Sequence, residues 1–258
     1  MPRWDSAQYL KFEAERTRPT RDLVARLDLA APRRLIDLGC GPGTSTAVLR
    51  QRWPSAEVLG LDSSPEMLEV ARRSDPAVRW LEGDLRSWEP DGPFDLVFSN
   101  AALQWLPGHE HELPRLLAWV RPGGAFAFQV PARDDPAPQW IQALDAVRRR
   151  PAWAGRDAPP ESGSNVLEPG AYYDLLAAGS SRVELWDTVY DHVLDGPEAV
   201  VAWVEGAGLR PWLERLRDDA ERRAFLQDYA HEVERRFPRR RDGRVLLPFL
   251  RRFAIAYR

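Results

Sequence analysis

Four residues near the amino terminus have the types and spacing of a ligand-binding turn. Asp37 is followed by Gly39, Gly41 and Gly43, so an acidic side chain stands two residues before a run of alternating glycines. Glycine lets the backbone turn sharply and approach a ligand where a Cβ would clash. A carboxylate at the entrance of such a turn attracts a cationic group and repels a phosphate. The spacing therefore predicts a turn that binds a positively charged ligand.

Two other ligand classes use glycine-rich turns, and the sequence disfavours both. The dinucleotide pattern Gly-x-Gly-x-x-Gly/Ala, counted from Gly39, fails at Thr44. A Walker loop fails because no Lys-Ser/Thr pair follows the glycines. S-adenosylmethionine has an α-ammonium where NAD has a pyrophosphate, and this cation suits the acid before the turn. Cys40 lies inside the turn without an evident base partner, so we assign it to cofactor binding and not to nucleophilic catalysis.

Two further acids extend the predicted site. Asp62 ends the second predicted strand, about 20 residues beyond the turn, where a carboxylate binds both ribose hydroxyls. Asp84 ends the third, where it can accept a hydrogen bond from the adenine amino group while the backbone N–H of Leu85 donates to the ring. Each acid alone is also compatible with a turn or cap residue. With Asp37 they fall at the carboxyl ends of three successive strands, where open α/β sheets bind ligands. The predicted cofactor is S-adenosylmethionine.

Alternating strand and helix patterns position these residues. Apolar strand-like runs and helical stretches alternate through residues 33–130, which specifies a Rossmann-like α/β fold with a parallel sheet and helices on both faces. Ser63 opens a helix-start signature, with Pro65 in the first turn and Glu66 three residues after the serine. The predicted strands are 34–38, 57–62, 78–82, 94–99 and 125–130, and the predicted helices are 44–52, 63–73 and 113–120.

This rhythm ends after Pro131, where prolines become frequent. Later patterns predict a helix at 172–178, a strand at 183–193, helices within 197–237 that are interrupted by glycines and a proline, and a last strand at 246–257. We therefore divide the chain into three parts. They are an N-terminal helical lid segment (1–30), a cofactor-binding Rossmann-like core (31–131) and a C-terminal part (132–258) that completes the sheet and carries helical substrate-binding insertions.

Composition disfavours several classes of protein. The 258 residues have a net charge of −3, and no apolar run approaches the ~20 residues of a membrane span, so we expect neither a nucleic-acid nor a membrane partner. The chain starts without an apolar leader and contains a single cysteine, from which we expect a cytoplasmic location. His109 and His111 flank Glu110, but no third clustered ligand is evident, so no metal site is predicted.

Several blocks of sequence resemble one family. They are Trp4–Leu10, Asp37–Thr46, the Asn-Ala-x-Leu-Gln-Trp motif at Asn100–Trp105 and the Gly-Leu-Arg-Pro-Trp-Leu motif at Gly208–Leu213. On these the chain resembles the trans-aconitate 2-methyltransferases, within the class I S-adenosylmethionine-dependent methyltransferases, over nearly its whole length; residues 132–165 match poorly. The resemblance implies a seven-stranded, mostly parallel sheet with a helical substrate cap. It also implies esterification of a carboxylate of a small polycarboxylic acid, foremost trans-aconitate, giving the monomethyl ester and S-adenosylhomocysteine.

The same resemblance enlarges the cofactor site by four residues: Ser63, Met67, Asn100 and Ala101. No catalytic base is expected, because the attacking carboxylate is already ionised at neutral pH, with a reference pKa near ~4. The catalytic task is then alignment of the attacking oxygen with the methyl group, together with desolvation of the carboxylate.

A polycarboxylate needs positive and hydrogen-bonding partners. Arg210 is the first candidate, because Gly208 and Pro211 fix a bend around it, with a plain surface arginine as the alternative. Arg16 and Arg18 follow, from the opening segment that we expect to act as a lid. Trp105, Tyr172 and Tyr173 complete the predicted substrate-binding set; core packing is the alternative for Trp105, and helix packing for one of the tyrosines.

Two other functions remain open at this level. A carboxyl methyltransferase for a malonyl carrier-protein thioester would need an exposed positive rim for a phosphopantetheine arm, whereas a small polyacid needs a closed pocket lined with arginine. A non-catalytic module would bind S-adenosylmethionine without turning over any acid. The fold alone does not distinguish these candidate functions, because one fold can carry many activities.

Overall fold

The computed structural model of the protein describes residues 13–132, 137–155, 165–205 and 208–258. The first twelve residues of the predicted lid segment lie outside the described residues, as does the side chain of Arg210.

Seven strands form one mixed sheet in the described part of the chain. Their bounds are β1 (Arg34–Leu38), β2 (Glu57–Asp62), β3 (Arg79–Glu82), β4 (Phe94–Asn100), β5 (Val120–Pro131), β6 (Arg182–Leu194) and β7 (Val245–Tyr257). The spatial order is β3-β2-β1-β4-β5-β7-β6. The first five strands in this order, from β3 to β5, are mutually parallel, and β7 runs antiparallel to β5. The strand order reverses between β1 and β4, which is where sheets of this kind form a ligand crevice.

The described residues also include nine α-helices. In chain order they are α1 (Glu13–Arg26), α2 (Thr44–Arg52), α3 (Pro65–Ser74), α4 (Leu113–Ala118), α5 (Gln139–Arg148), α6 (Pro169–Ala177), α7 (Pro197–Glu205), α8 (Arg210–Leu213) and α9 (Asp219–Arg236).

The predicted fold class is confirmed, with local corrections. The helix predicted over 113–120 ends at Ala118, because Val120 already pairs with Phe94 in the sheet. The cap of α3 is Ser64, not Ser63: the Ser64 side chain accepts the amide N–H of Met67, and Pro65 is the first helical residue. Helix α5, in the proline-rich stretch, was not predicted.

The chain divides into two compact units. As far as they are described, the sheet unit comprises 13–131, 165–188 and 251–258, and the helical unit comprises 132–155 and 189–250. The three predicted parts are consecutive along the chain, whereas these units are each assembled from separate stretches, and the part after residue 131 is shared between them.

The core of the sheet unit lies on one face of the sheet. Helices α4 and α6 cover that face, where Phe126 and Phe128 of β5 pack with Tyr172 and other fully buried side chains. Helix α1 packs against α2 and β5. Because side chains alternate along a strand, Asp37, Asn100 and Gln129 share one face at the carboxyl ends of β1, β4 and β5.

The helical unit is organised around α9, which packs against α5 and α7. The buried Glu232 accepts hydrogen bonds from Arg150 (2.7 Å) and Arg236, and these contacts hold its pKa below the usual range. Trp153 packs edge-on against Phe225 with ring centroids 5.2 Å apart. An ion network that links α9 to the residues after α5, together with aromatic contacts, therefore holds the unit together.

Candidate active site

The glycine turn joins β1 to α2 and is fixed to the end of β2. The amide N–H groups of Gly39 and Cys40 both donate to the carbonyl of Leu61, at 2.8 and 3.1 Å. The next glycine amide, of Gly41, donates to Oδ2 of Asp62 at 2.8 Å. All three glycines of the pattern have positive φ, at 69°, 55° and 91°. The turn is therefore held in one shape by the neighbouring strand.

A second contact explains why Gly39 has no side chain. A Cβ at this position would stand 2.3 Å from the Cβ of Ala102, in the segment that follows β4. The turn after β1 and the segment after β4 thus approach each other at backbone distance. These are the two strands between which the sheet order reverses, so the close approach forms the floor of the crevice.

Asp37 lies at the base of this turn and is fully buried. Its Oδ2 accepts hydrogen bonds from the hydroxyls of Ser45 (2.6 Å) and Thr46 (2.7 Å). Its Oδ1 is buried without a hydrogen-bond partner among the described residues. Burial raises the pKa of this carboxyl to about 6, against the lowering effect of the two hydroxyls. A buried carboxylate with only one oxygen hydrogen-bonded is stabilised in its ionised form by a cationic partner. The α-ammonium of S-adenosylmethionine is such a group.

Asp62 both shapes the turn and faces the crevice. Besides the Gly41 amide it accepts the N–H of Ser64 at 2.9 Å, and burial raises its pKa above the ordinary value. An ionised carboxylate offers about four acceptor positions, so capacity remains for the two ribose hydroxyls. Met67 is buried on α3, whereas Ser63 is exposed.

Asp84 follows β3, and its carboxylate is engaged by Arg86. The Arg86 Nε donates to Oδ1 at 3.0 Å and the Arg86 amide donates to the same oxygen at 2.9 Å, which holds the pKa of Asp84 below its usual value. The amide of Gly83 donates to the carbonyl of Asp62 at 3.0 Å, so this acid lies at the same edge as the other two. Leu85 is buried beside it. The adenine-binding roles of Asp84 and Leu85 stay predictions.

The segment after β4 carries a strained residue. Ala101 has φ of 52°, the only positive value at a non-glycine residue in the described chain. Its N–H donates to the carbonyl of Gln129 (2.9 Å), and its carbonyl accepts the side-chain amide of Gln104 (2.6 Å). The Gln129 side chain in turn donates to Oδ1 of Asn100 at 2.6 Å. Two buried glutamines thus hold the predicted cofactor-binding pair Asn100 and Ala101.

Four of the predicted substrate-binding residues lie in the sheet unit with accessible surface. Arg16 is half-buried on α1 and Arg18 is exposed on the same helix, while Trp105 is half-buried after β4. Tyr173 on α6 is 52% exposed. Their roles stay predictions.

Tyr172 has a different environment, which does not support its predicted role. The side chain is 0% exposed, and its hydroxyl lies 2.9 Å from Nε2 of His109 and accepts the N–H of Leu167 at 3.3 Å. Burial raises its pKa to about 12. The hydroxyl is thus buried in the core and hydrogen-bonded within the protein. This agrees with the alternative that one of the two tyrosines serves to pack its helix. A hydroxyl in this environment is not placed to bind an acid from solution.

Arg210 is the first residue of α8 in the helical unit. The bend before it is closed by packing, because a Cβ at Gly208 would stand 2.6 Å from the ring of Trp140. Gly208 thus packs closely against Trp140, whereas the side chain of Arg210 lies outside what is described, so its role stays a prediction.

His109 packs inside the sheet unit with its pKa lowered by burial, whereas His111 is exposed. Across the described ranges, no group of three or more His, Cys, Asp or Glu side chains is arranged to hold a metal ion. In the same ranges no helix has both the length and the apolar character to span a membrane.

Gln129 was not among the site residues predicted from the sequence, although a signal was present. Gln129 is a polar residue in an otherwise apolar strand, Ala125–Val130, and a buried amide in such a run indicates a specific partner. Arg251 and Arg252 similarly interrupt β7, both less than 8% exposed. Arg252 is held by Asp187 through two hydrogen bonds of 3.0 and 2.8 Å, which gives it a structural role.

Comparison with solved structures agrees with this architecture. The YcgJ protein of Bacillus subtilis superposes with a TM-score of 0.58 at 15% identity, covering 93% of this chain and 99% of that one. The plantazolicin methyltransferase BpumL, in complex with a triazolic desmethylPZN analog and S-adenosylhomocysteine, gives 0.53 at 15% identity, covering 98% and 91%. A family model described as a methyltransferase domain matches residues 35–124. Fold and site together define a class I S-adenosylmethionine-dependent methyltransferase.

Curated relatives narrow this class. A trans-aconitate 2-methyltransferase of Azoarcus sp. (strain BH72) is 48% identical over the whole of both chains. Enzymes of the same name from Rhodopseudomonas palustris (strain BisB18) and Escherichia coli O8 (strain IAI1) are 44% and 39% identical, over at least 99% of each chain. The chain belongs to the trans-aconitate 2-methyltransferase family.

Proposed function

We propose that this enzyme transfers the methyl group of S-adenosylmethionine to a carboxylate oxygen of trans-aconitate, giving the monomethyl ester and S-adenosylhomocysteine. The observation that carries the proposal is the full-length similarity to enzymes of that name, up to 48% identity with complete coverage of both chains. The matched region spans the whole chain, including residues 132–258, where the predicted substrate-binding insertions lie. The similarity favours this acceptor over a carrier-protein thioester and over a non-catalytic module.

The donor supplies an activated methyl group, so the chain needs no acid–base chemistry to start the reaction. The acceptor carboxylate is ionised at neutral pH and attacks without a general base. What remains for the protein is to fix the donor, to hold the attacking oxygen roughly 3 Å from the methyl carbon, and to exclude water. Asp37 serves the first task, because its buried carboxylate, of which Oδ1 has no hydrogen-bond partner among the described residues, attracts the donor ammonium.

Recognition of the polyacid requires fixed positive charge that does not protonate the attacking carboxylate. Arginine meets this requirement, since its guanidinium stays charged and binds carboxylates through paired N–H groups. We assign this role to Arg210, with Arg16 and Arg18 from α1, and place Trp105 and Tyr173 among the acceptor contacts. The proposed setting is the cytoplasm, with a small molecule and no nucleic acid as the acceptor.

One experiment separates the candidate functions. The purified enzyme is incubated with methyl-labelled S-adenosylmethionine and, in separate reactions, trans-aconitate, cis-aconitate, citrate, malonyl carrier protein and tRNA. We expect label in a base-labile ester of trans-aconitate, with lower turnover of the other acids. Label on the carrier protein or tRNA alone would refute the proposal. Cofactor binding by calorimetry without transfer to any acceptor would indicate a binding module.

A further inference from the structure

Two amide side chains form a buried pair at the carboxyl edge of the sheet. Gln129 on β5 is 1% exposed, and its Nε2 donates to Oδ1 of Asn100 on β4 at 2.6 Å. The two residues are also Cα partners in the parallel ladder, so the pair is held by the sheet itself. A backbone bond from Ala101 to the Gln129 carbonyl, 2.9 Å long, continues the contact into the following segment.

This pairing dictates how Asn100 is oriented. Because its Oδ1 accepts the Gln129 proton, the Nδ2 group, with two donor hydrogens, is directed away from Gln129. Asn100 is only half-buried and is the last residue of β4, next to the point where the strand order reverses. Its amide donors are therefore presented at the crevice edge, on the same sheet face as Asp37.

The stability of the fold does not explain the pair. The Oε1 of Gln129 is buried with no hydrogen-bond partner among the described residues, and an unsatisfied buried acceptor destabilises the folded state. An apolar side chain of similar length would fill the same space without that penalty. The neighbouring positions of β5, such as Phe128 and Val130, are filled in this apolar way.

We propose that Gln129 is a positioning residue, which holds Asn100 so that its Nδ2 donates to a carboxylate in the crevice. A charge-assisted N–H to carboxylate bond is short and directional, so orientation of the donor matters. The carboxylate belongs either to the acceptor acid, in which case the inference rests on the proposed function, or to the methionine part of the donor. Both sources present the same chemistry to Asn100.

The first test is a double-mutant cycle. Gln129→Met, Asn100→Ala and the double variant are compared with the wild type for the KM of trans-aconitate, for kcat and, by calorimetry, for the Kd of S-adenosylhomocysteine. We expect Gln129→Met to raise either the KM of trans-aconitate or the Kd of S-adenosylhomocysteine about tenfold, with a much smaller change in kcat. We expect the same constant in the double variant to be no higher than in Asn100→Ala. A raised KM identifies the acceptor carboxylate, and a raised Kd identifies that of the donor. Unchanged binding constants, or effects that multiply in the double variant, would overturn the inference.

The second test uses a side chain of unchanged shape. In Gln129→Glu the ionised carboxylate cannot donate to Asn100, but the protonated form can. We expect its binding defect relative to the wild type to shrink as the pH falls from 8 to 5.5, while the defect of Gln129→Met stays constant.

Ser99→Ala is the matched control, because this buried hydroxyl on β4 points to the other face and donates to the Leu38 carbonyl (3.0 Å). It should lower Tm without changing either binding constant. A pH-independent defect in Gln129→Glu would refute positioning. If the wild type esterified no acid, only the proposed function would be refuted. The Kd of S-adenosylhomocysteine in the variants would still test whether Gln129 positions Asn100.

Discussion

The indole ring of Trp80 lies directly over the α-carbon of Gly60, so closely that a Cβ there would stand 2.4 Å from two ring atoms. The ring also leaves no room for a Cβ at Gly43 in the cofactor turn, and its Nε1 donates to the carbonyl of Asp75 at 2.8 Å. We expect Gly60→Ala to destabilise the protein by about 2 kcal/mol, because the added methyl group would clash with the Trp80 ring and force either β2 or the ring to shift. Thermal unfolding measures this as a fall in Tm of several degrees.

The control for this prediction is Gly170→Ala. Nothing lies within 4 Å of a Cβ at Gly170 on α6, so alanine should be neutral or slightly stabilising there. Equal loss of stability in both variants would show that ring contact is not the cause.

Cofactor affinity should depend on pH through Asp37. Burial raises its pKa from 3.8 to about 6, and a cationic donor binds the ionised form, so binding below pH 6 requires release of a proton. We expect the affinity for S-adenosylmethionine to be constant between pH 7 and 7.5 and to fall up to tenfold per unit below pH 6. Calorimetry in buffers of different ionisation enthalpy measures both the affinity and the released proton. Asp37→Asn should bind weakly at every pH, and a flat profile in the wild type would contradict the prediction.

The same carboxyl should affect the stability of the cofactor-free protein in the opposite sense. Its folded-state pKa lies above its unfolded value, so the native state binds the extra proton between about pH 4 and 6. Stability from this group is complete below that window and is lost as the pH rises through it, by up to about 3 kcal/mol. Comparing urea unfolding of the wild type and Asp37→Asn across the window isolates this contribution.

The two adjacent tyrosines of α6 should behave differently. Tyr172→Phe removes a hydroxyl that serves both His109 and Leu167, so we expect a loss of about 1–3 kcal/mol in stability with an unchanged KM. Tyr173 is 52% exposed, so Tyr173→Phe should leave stability unchanged and raise the KM if its hydroxyl binds the acid. A raised KM in Tyr172→Phe at full stability would restore it to the acceptor site.

Arg210→Ala tests the assignment of the acceptor's positive partner. Losing a charge-assisted pair to a carboxylate should raise the KM for trans-aconitate about 10- to 100-fold and leave the Kd for S-adenosylhomocysteine nearly unchanged. Arg223→Ala removes an exposed arginine of the same unit, on α9, and as the control should have little effect. Equal losses for acid and cofactor would place Arg210 elsewhere.

Much of the sheet could be predicted because its strands are nearly continuous apolar runs bounded by turn residues. The ranges 34–38 and 57–62 match β1 and β2 residue for residue. The three acids at strand ends could be located for the same reason, since strand topology alone brings Asp37, Asp62 and Asp84 to one edge.

Details that depend on long-range contacts could not be predicted. The sequence prediction placed the helix-start signature on Ser63, whereas the structure has Ser64 as the cap of α3, directly before Pro65. The burial of Tyr172 depends on His109, which lies 63 residues away. The orientation of Asn100 depends on Gln129, on a strand formed 29 residues later.

The position of β7 has a consequence for how the chain is made. It is the last strand along the sequence, yet it lies between β5 and β6 and pairs with β5 over Ala125–Pro131. During synthesis, then, the outer edge of β5 exposes unpaired backbone groups beside Phe126 and Phe128 until β7 leaves the ribosome. An exposed apolar edge of this kind is a template for wrong pairing. We therefore expect nascent chains stalled before residue 245 to recruit chaperones and to aggregate, while the completed chain does not.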